Sequence, residues 1–126
     1  MRELRQGSPL PLVADESAQR LADLPCLVGG FHGVNIKLAK CGGVTRALEM
    51  MARARSLGLK LMLGCMIESS LGIAAALALA PLVDWVDLDG NLLLDEDPFV
   101  GLVLEEGRWR LPSAPGLGVS RRPAHR

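Results

Sequence analysis

Carboxylates, one amine and one amide recur along this chain where a fold could bring them to a single surface: Asp15, then Asn35 and Lys37, then Glu68, then Asp87 and Asp89. These are groups of acid–base and ion-binding chemistry. In Val34-Asn35-Ile36-Lys37-Leu38 strand side chains alternate with period two, so Val34, Ile36 and Leu38 share one face and Asn35 and Lys37 the other. The apolar set packs under helices, and the opposite face aims an amide and an amine into whatever the strands enclose. Asp87 and Asp89, two residues apart at the close of another strand, point the same way, roughly 7 Å apart.

Four strands must position these groups. Residues 10–14 form a short apolar run with Pro11 near its start, delivering Asp15 and Glu16 at its carboxyl end. Ser17 can cap a weak helix over 19–24, before Pro25 and the Gly29-Gly30 turn. After the strand of 34–38, Gly42 and Gly43 break the chain, and Val44, Ala47, Leu48, Met51 and Ala54 recur at helical spacing until Gly58. Residues 59–63 make the third strand, Ser69 or Ser70 caps a helix running to about 80, and residues 83–88 make the fourth strand. Helix-length crossovers between successive strands demand an α/β fold with a parallel sheet and right-handed connections. Chemistry in such folds is built at the carboxyl ends of the strands, where Asp15, Lys37, Asp87 and Asp89 fall, with Glu68 one turn on.

A chain of 126 residues is one domain at most, and 49% hydrophobic with 22% charged residues supports a real core. Fourteen basic residues balance fourteen acidic ones, which argues against a nucleic-acid or membrane-binding surface. Cys26, Cys41 and Cys65 lack C-x-x-C pairing and read as reduced, buried small hydrophobes. The apolar run 71–83 contains Pro81 and falls short of the roughly 20 residues a membrane span needs. With no signal segment at the start, a cytoplasmic location is expected.

Taken singly, each polar group has a structural reading. Asp15-Glu16-Ser17 is an N-cap, Lys37 a surface lysine, Glu68 a fold support, and Asp87-x-Asp89 a solvated strand end. Jointly, in order at successive strand ends, a common functional rim is the better account. Lys40 is expected to point elsewhere, near the Gly42-Gly43 turn. His32 and His125 take no role, Trp109 packs in a C-terminal strand, and Asp95, Glu96 and Asp97 form a solvated acidic loop.

Four stretches carry a family resemblance: Ala14-Asp15-Glu16-Ser17, Asn35-Ile36-Lys37-Leu38-Ala39-Lys40-Cys41-Gly42-Gly43, Gly64-Cys65-Met66-Ile67-Glu68-Ser69, and Asp87-Leu88-Asp89-Gly90. Together they resemble the second half of the barrel in the muconate-lactonizing subgroup of the enolase superfamily. The Asp-x-Asp pair resembles the dipeptide epimerases, typified by L-Ala-D/L-Glu epimerase. Pro115-Gly116-Leu117-Gly118-Val119 is similar to the tail that returns to that family's capping domain.

The resemblance implies strands five to eight of a (β/α)8 TIM-type barrel over residues 1–97. Residues 98–126 would return toward the capping domain, with a disordered end over 120–126. Asp15 matches one of three carboxylates that bind a catalytic Mg²⁺. Lys37 matches one of two lysines on opposite faces of the substrate's α-carbon, Asp87 and Asp89 match the pair that holds a dipeptide's α-ammonium, and Cys65, Met66 and Ile67 line the substrate. Asn35 and Glu68 are candidate supports. The other lysine, the first two metal carboxylates and the capping domain precede the fifth strand in the family, so this chain is expected to be a fragment, inactive alone.

That chemistry suits these residue types. Removing a proton α to a carboxylate creates an enediolate, whose charge a divalent cation stabilises, and an amine serves as base once its pKa falls from about 10.4. The implied function is an isomerase moving a proton at the α-carbon of a small dipeptide. Alternatives are a non-catalytic remnant or docking half-barrel, an N-acylamino acid racemase, an o-succinylbenzoate synthase or a muconate cycloisomerase. Complete members are expected to be homo-oligomers. Four βα units leave two open strand edges, so the isolated chain is expected to dimerise or aggregate.

Overall fold

A computed structural model describes residues 1–123. Four parallel strands, β1 (Val13–Ala14), β2 (Gly33–Lys37), β3 (Lys60–Gly64) and β4 (Trp85–Asp87), lie in sequence order in one sheet. Helical segments cross between them: α1 (Arg2–Gly7) precedes β1, α2 (Leu24–Leu27) follows it, α3 (Leu38–Cys41) and α4 (Val44–Ser56) join β2 to β3, and α5 (Ser70–Leu77) joins β3 to β4.

The alternation in β2 divides the sheet as its apolar pattern requires. Val34, Ile36, Leu61 and Leu63 are fully buried on the face covered by Ala47, Met50, Met51 and Ala54 of α4 and Ile73, Ala76 and Leu77 of α5. Burying each such large aliphatic side chain stabilises the fold by about 1.5–3 kcal/mol. Asn35 and Lys37 are on the other face.

Element boundaries differ from the sequence reading for local reasons. Leu38 is buried but opens α3 rather than closing β2. Pro25 sits in the first turn of α2, where its missing N–H is no loss, so it begins a helix rather than ending one. Only Val13 and Ala14 pair with β2, while His32 extends the contact: its Nδ1 accepts the Leu12 N–H at 2.9 Å, giving this histidine a structural role. Asp84 ties down the start of β4, accepting the Leu61 N–H at 2.8 Å and pairing with Arg55 at 2.6 Å.

The tail is structured as far as it is described. Strand β5 (Phe99–Val100) pairs with β8 (Ser120–Arg121), and β6 (Val103–Glu105) forms a hairpin with β7 (Arg108–Arg110). The disordered end expected from residue 120 is thus corrected at Ser120 and Arg121, which gain backbone partners from Val100 and Phe99; the reading of His125 falls outside the described residues. Trp109 packs against the core and donates its indole N–H to the Leu88 carbonyl at 2.8 Å. No helix among the described residues is long and apolar enough to cross a membrane.

Asp97 is not a solvated loop charge. Its Oδ2 accepts the Ser70 N–H at 2.8 Å and the Ser70 hydroxyl at 2.5 Å, so the cap of α5 comes from 27 residues downstream and not from Ser69 or Ser70 alone. Burial pushes the Asp97 carboxyl up, but hydrogen bonds from the Ser70 hydroxyl and the Phe99 and Ser70 N–H groups, with the charge of Arg122, outweigh it and hold it below its ordinary value. A depressed carboxylate contributes stability that is present above its unfolded pKa of about 3.9 and lost as pH falls through its folded value. Asp97→Asn should therefore cost about 1–2 kcal/mol at pH 7 and flatten the acid limb of stability against pH. Urea denaturation at pH 7 and at pH 3 checks this, and equal losses at both would show that the charge is not what matters.

Among the described residues, strands β1 and β4 are the outer members of the sheet, each paired with a strand on one side only. Unpaired edges of this kind template further association. Light scattering of the isolated chain should report twice the chain mass or more, and a monodisperse monomer would show the edges to be protected.

Candidate active site

The register of the parallel sheet sets the site. Lys37 lies opposite Gly64, and Gly64 opposite Asp87, so these three share the last row at the carboxyl ends of β2, β3 and β4. Two strand spacings separate Lys37 from Asp87, roughly 10 Å. Asp15 follows Ala14, the partner of Val34, which brings its side chain beside Asn35 and Lys37.

A cluster of charge results. Lys37 Nζ lies 2.7 Å from Asp15 Oδ2, and Asn35 Nδ2 donates to the same oxygen at 3.2 Å. The second oxygen, Oδ1, is held by Lys40 Nζ at 3.0 Å, and Lys40 also reaches Glu16 Oε1 at 3.2 Å. Lys40 thus belongs to the site, against the expectation from sequence. Because β2 stops at Lys37 and α3 begins at once, a spacing of three becomes helical and returns Lys40 to the side of Lys37. Two consecutive positive-φ residues, Gly42 and Gly43, both at φ 96°, then turn the chain into α4, a conformation that only glycine adopts readily.

Burial pushes the Asp15 carboxyl up, but hydrogen bonds from Lys37 and Lys40, and then their charges, overcome it and hold it below the ordinary carboxylate value. The bond to Asp15 raises Lys40 above the usual lysine value against desolvation, with Glu16 adding to the rise. Asn35 is buried, and its Oδ1 has no hydrogen-bond partner among the described residues. It fits only because its neighbour is glycine: a Cβ at Gly64 would stand 2.6 Å from the amide.

The exits of β3 and β4 form the rest of the rim. Met66 and Ile67 are exposed in the loop after β3, and Glu68 Oε1 accepts the Met66 N–H at 3.0 Å, holding that loop. Cys65 faces β4: its Sγ accepts the Gly90 N–H at 3.3 Å and lies 3.5 Å from the Asp87 carbonyl and 3.9 Å from Asp89 Oδ1. Burial, with the nearby charges of Asp89 and Glu68, keeps this thiol's pKa above its ordinary value despite the backbone hydrogen bonds that lower it, so it stays a thiol able to donate. Asp87 and Asp89 are exposed on either side of buried Leu88.

Mg²⁺ demands near-octahedral oxygen coordination and usually takes one or two carboxylates with waters and substrate oxygens. Asp15 suits one such position. Both of its oxygens hold lysines, and among the described residues no three His, Cys, Asp or Glu side chains gather around a common point. Asp15 fits as one ligand, and the described residues alone do not make a complete site.

Residues 1–125 match the family model described as enolase C-terminal domain-like. The L-Ala-D/L-Glu epimerase of Bacteroides thetaiotaomicron is 49% identical over 116 residues, covering 92% of this chain and 30% of that protein. An N-acetyl-D-glutamate racemase from a Pseudoalteromonas species is 50% identical over 90 residues, 71% of this chain and 29% of that protein. Among solved structures, the dipeptide epimerase of Cytophaga hutchinsonii complexed with Mg and D-Ala-L-Val superposes with a TM-score of 0.84 at 30% identity, over 96% of this chain and 35% of that one. The chain spans about a third of the length of the relatives it matches.

Gly64→Ala should rotate the Asn35 amide away from Asp15 and destabilise the chain by about 1–3 kcal/mol, the usual cost of overpacking a filled space. Denaturant unfolding measures the loss, and side-chain amide NMR signals of Asn35 report the rotation. A variant with both unchanged would show slack between β2 and β3 that the 2.6 Å clearance denies.

Proposed function

The chain belongs to the enolase C-terminal domain-like family, and on that premise we propose that it supplies the second half of the (β/α)8 barrel of a Mg²⁺-dependent dipeptide epimerase. The observation that carries the reading is the row Lys37–Gly64–Asp87, with Lys37 anchored on Asp15 at 2.7 Å. The α-carbon next to a dipeptide's carboxylate lies roughly 5 Å from its ammonium nitrogen. An amine and a carboxylate rooted about 10 Å apart can therefore address both ends of one molecule, once the reach of the lysine side chain is counted. The named relatives support the same reaction class.

Lys37 takes the proton from the α-carbon or returns it. Asn35 and Asp15 fix where its Nζ stands before the substrate arrives, and such pre-positioning is worth more than proximity alone. Asp87 and Asp89 hold the ammonium, and Met66 and Ile67 present apolar surface beside it. Mg²⁺, held in part by Asp15, would neutralise the charge that develops on the substrate carboxylate, the usual partnership of a lysine base and a divalent ion in this superfamily. Inversion requires a second acid on the opposite face, which is the role left for a lysine from the other half of a barrel. A cytoplasmic setting goes with this reading, supported by three free cysteines.

A second reading has a specific observation behind it: the 50% identity to an N-acetyl-D-glutamate racemase. An acylated nitrogen carries no charge, so it offers Asp87 and Asp89 no cation to pair with. In a chain carrying all eight strands, Asp89→Asn should lower kcat/KM for free-amino dipeptides by about tenfold or more and leave N-acyl substrates unaffected. Equal turnover of free-amino dipeptides by parent and variant would favour the racemase reading.

In the same complete barrel, Lys37→Ala should abolish epimerisation yet leave α-proton exchange in one enantiomer, handled by the opposite lysine. Deuterium incorporation followed by mass spectrometry checks it, and interconversion at the parental rate would make Lys37 structural.

A further inference from the structure

We propose that Cys65 is a positioning residue for the Asp87–Asp89 pair, holding the exit turn of β4 through its thiol rather than serving as a contact for substrate. This rests on the ammonium-binding reading of that pair. A single sulfur meets groups from three residues of the turn: the Gly90 N–H at 3.3 Å, the Asp87 carbonyl at 3.5 Å and Asp89 Oδ1 at 3.9 Å. The thiol has one proton to donate, so it alternates between the last two while its lone pairs keep the Gly90 amide.

Gly90 is buried, and its position is enforced sterically as well. A Cβ there would drive into the Met66 carbonyl oxygen and come within 3.1 Å of Cys65 Sγ. The loop after β3 and the turn after β4 are therefore seated against each other, with the sulfur as their polar link. Asp89 is the residue before Gly90 and opens the short 3-10 turn Gly90–Leu93, accepting the Leu92 N–H on its own carbonyl at 2.9 Å. Freeing the Gly90 amide frees the backbone that aims the Asp89 carboxylate. Neither Lys37 nor Asp15 touches Cys65 through any hydrogen bond or ion pair among the described residues, so the effect is confined to the ammonium end.

The test uses the 126-residue chain, NMR hydrogen exchange at the Gly90 amide, and titration with L-Ala-L-Glu and its N-acetyl derivative. Cys65→Ala should speed Gly90 exchange about tenfold by removing the acceptor. It should also weaken binding of the free-amino dipeptide about fivefold, with the N-acetyl probe unmoved. Cys65→Ser keeps a donor and an acceptor and should recover most of both effects; it carries the test alone if the alanine variant does not fold. Unchanged Gly90 exchange in Cys65→Ala, or equal weakening for both probes, overturns the proposal. If the parent chain shows no preference for the free-amino probe, the ammonium reading fails, while faster Gly90 exchange would still uphold the thiol's hold on the turn.

Discussion

The in-register pairing of β2 with β3 is the constraint on which the rest of the molecule depends. Five consecutive pairs, from Gly33 opposite Lys60 to Lys37 opposite Gly64, fix which side chains face the helices and which face the rim. Strand side chains alternate, so a slip of one residue would send Asn35 and Lys37 into the layer filled by Ala47 and Ile73 and expose Val34 and Ile36. Two large apolar side chains on each strand oppose that slip, which makes the apolar core the guarantor of the polar site.

Electrostatics on the rim works in the opposite sense, since the site concentrates charge that the fold must tolerate. Asp15 faces two ammonium groups, and the three side chains are only partly exposed, at 27%, 14% and 20% for Asp15, Lys37 and Lys40. Pairing offsets the desolvation that each charge would otherwise suffer alone, and removing one partner from such a cluster costs more than the pair contributes. Lys40 leaves Lys37 sharing the carboxylate rather than owning it. Each lysine occupies its own oxygen, so Lys37 can leave without stranding Asp15.

Much of this was legible in the sequence because it is local. Alternation in 34–37 gave the faces of β2, and the spacing of Ala47, Met51 and Ala54 gave α4 almost to the residue. Lys40 was misplaced because the end of β2 was read one residue late, and the difference between strand and helix at Leu38 decides where a side chain two positions on will point. Asp97 was misread because its partner Ser70 is 27 residues away, and no periodicity spans that distance. Gly64 fell just past the residues read as the third strand, 59–63, whereas its role lies in what it leaves room for across the sheet. Features resting on contacts between elements leave no trace in a one-dimensional pattern.

The indole of Trp109 couples the distant β6–β7 hairpin to the backbone at Leu88, between the two aspartates. The only other tryptophan, Trp85, stands within the sheet under the ammonium of Lys60, 5.6 Å from the ring centre. The two fluorophores therefore sit in different electrostatic surroundings, one hydrogen-bonded to a carbonyl and one beneath a cation. The molecule carries its own pair of optical probes, through which detachment of the hairpin and melting of the sheet can be followed as separate spectral events.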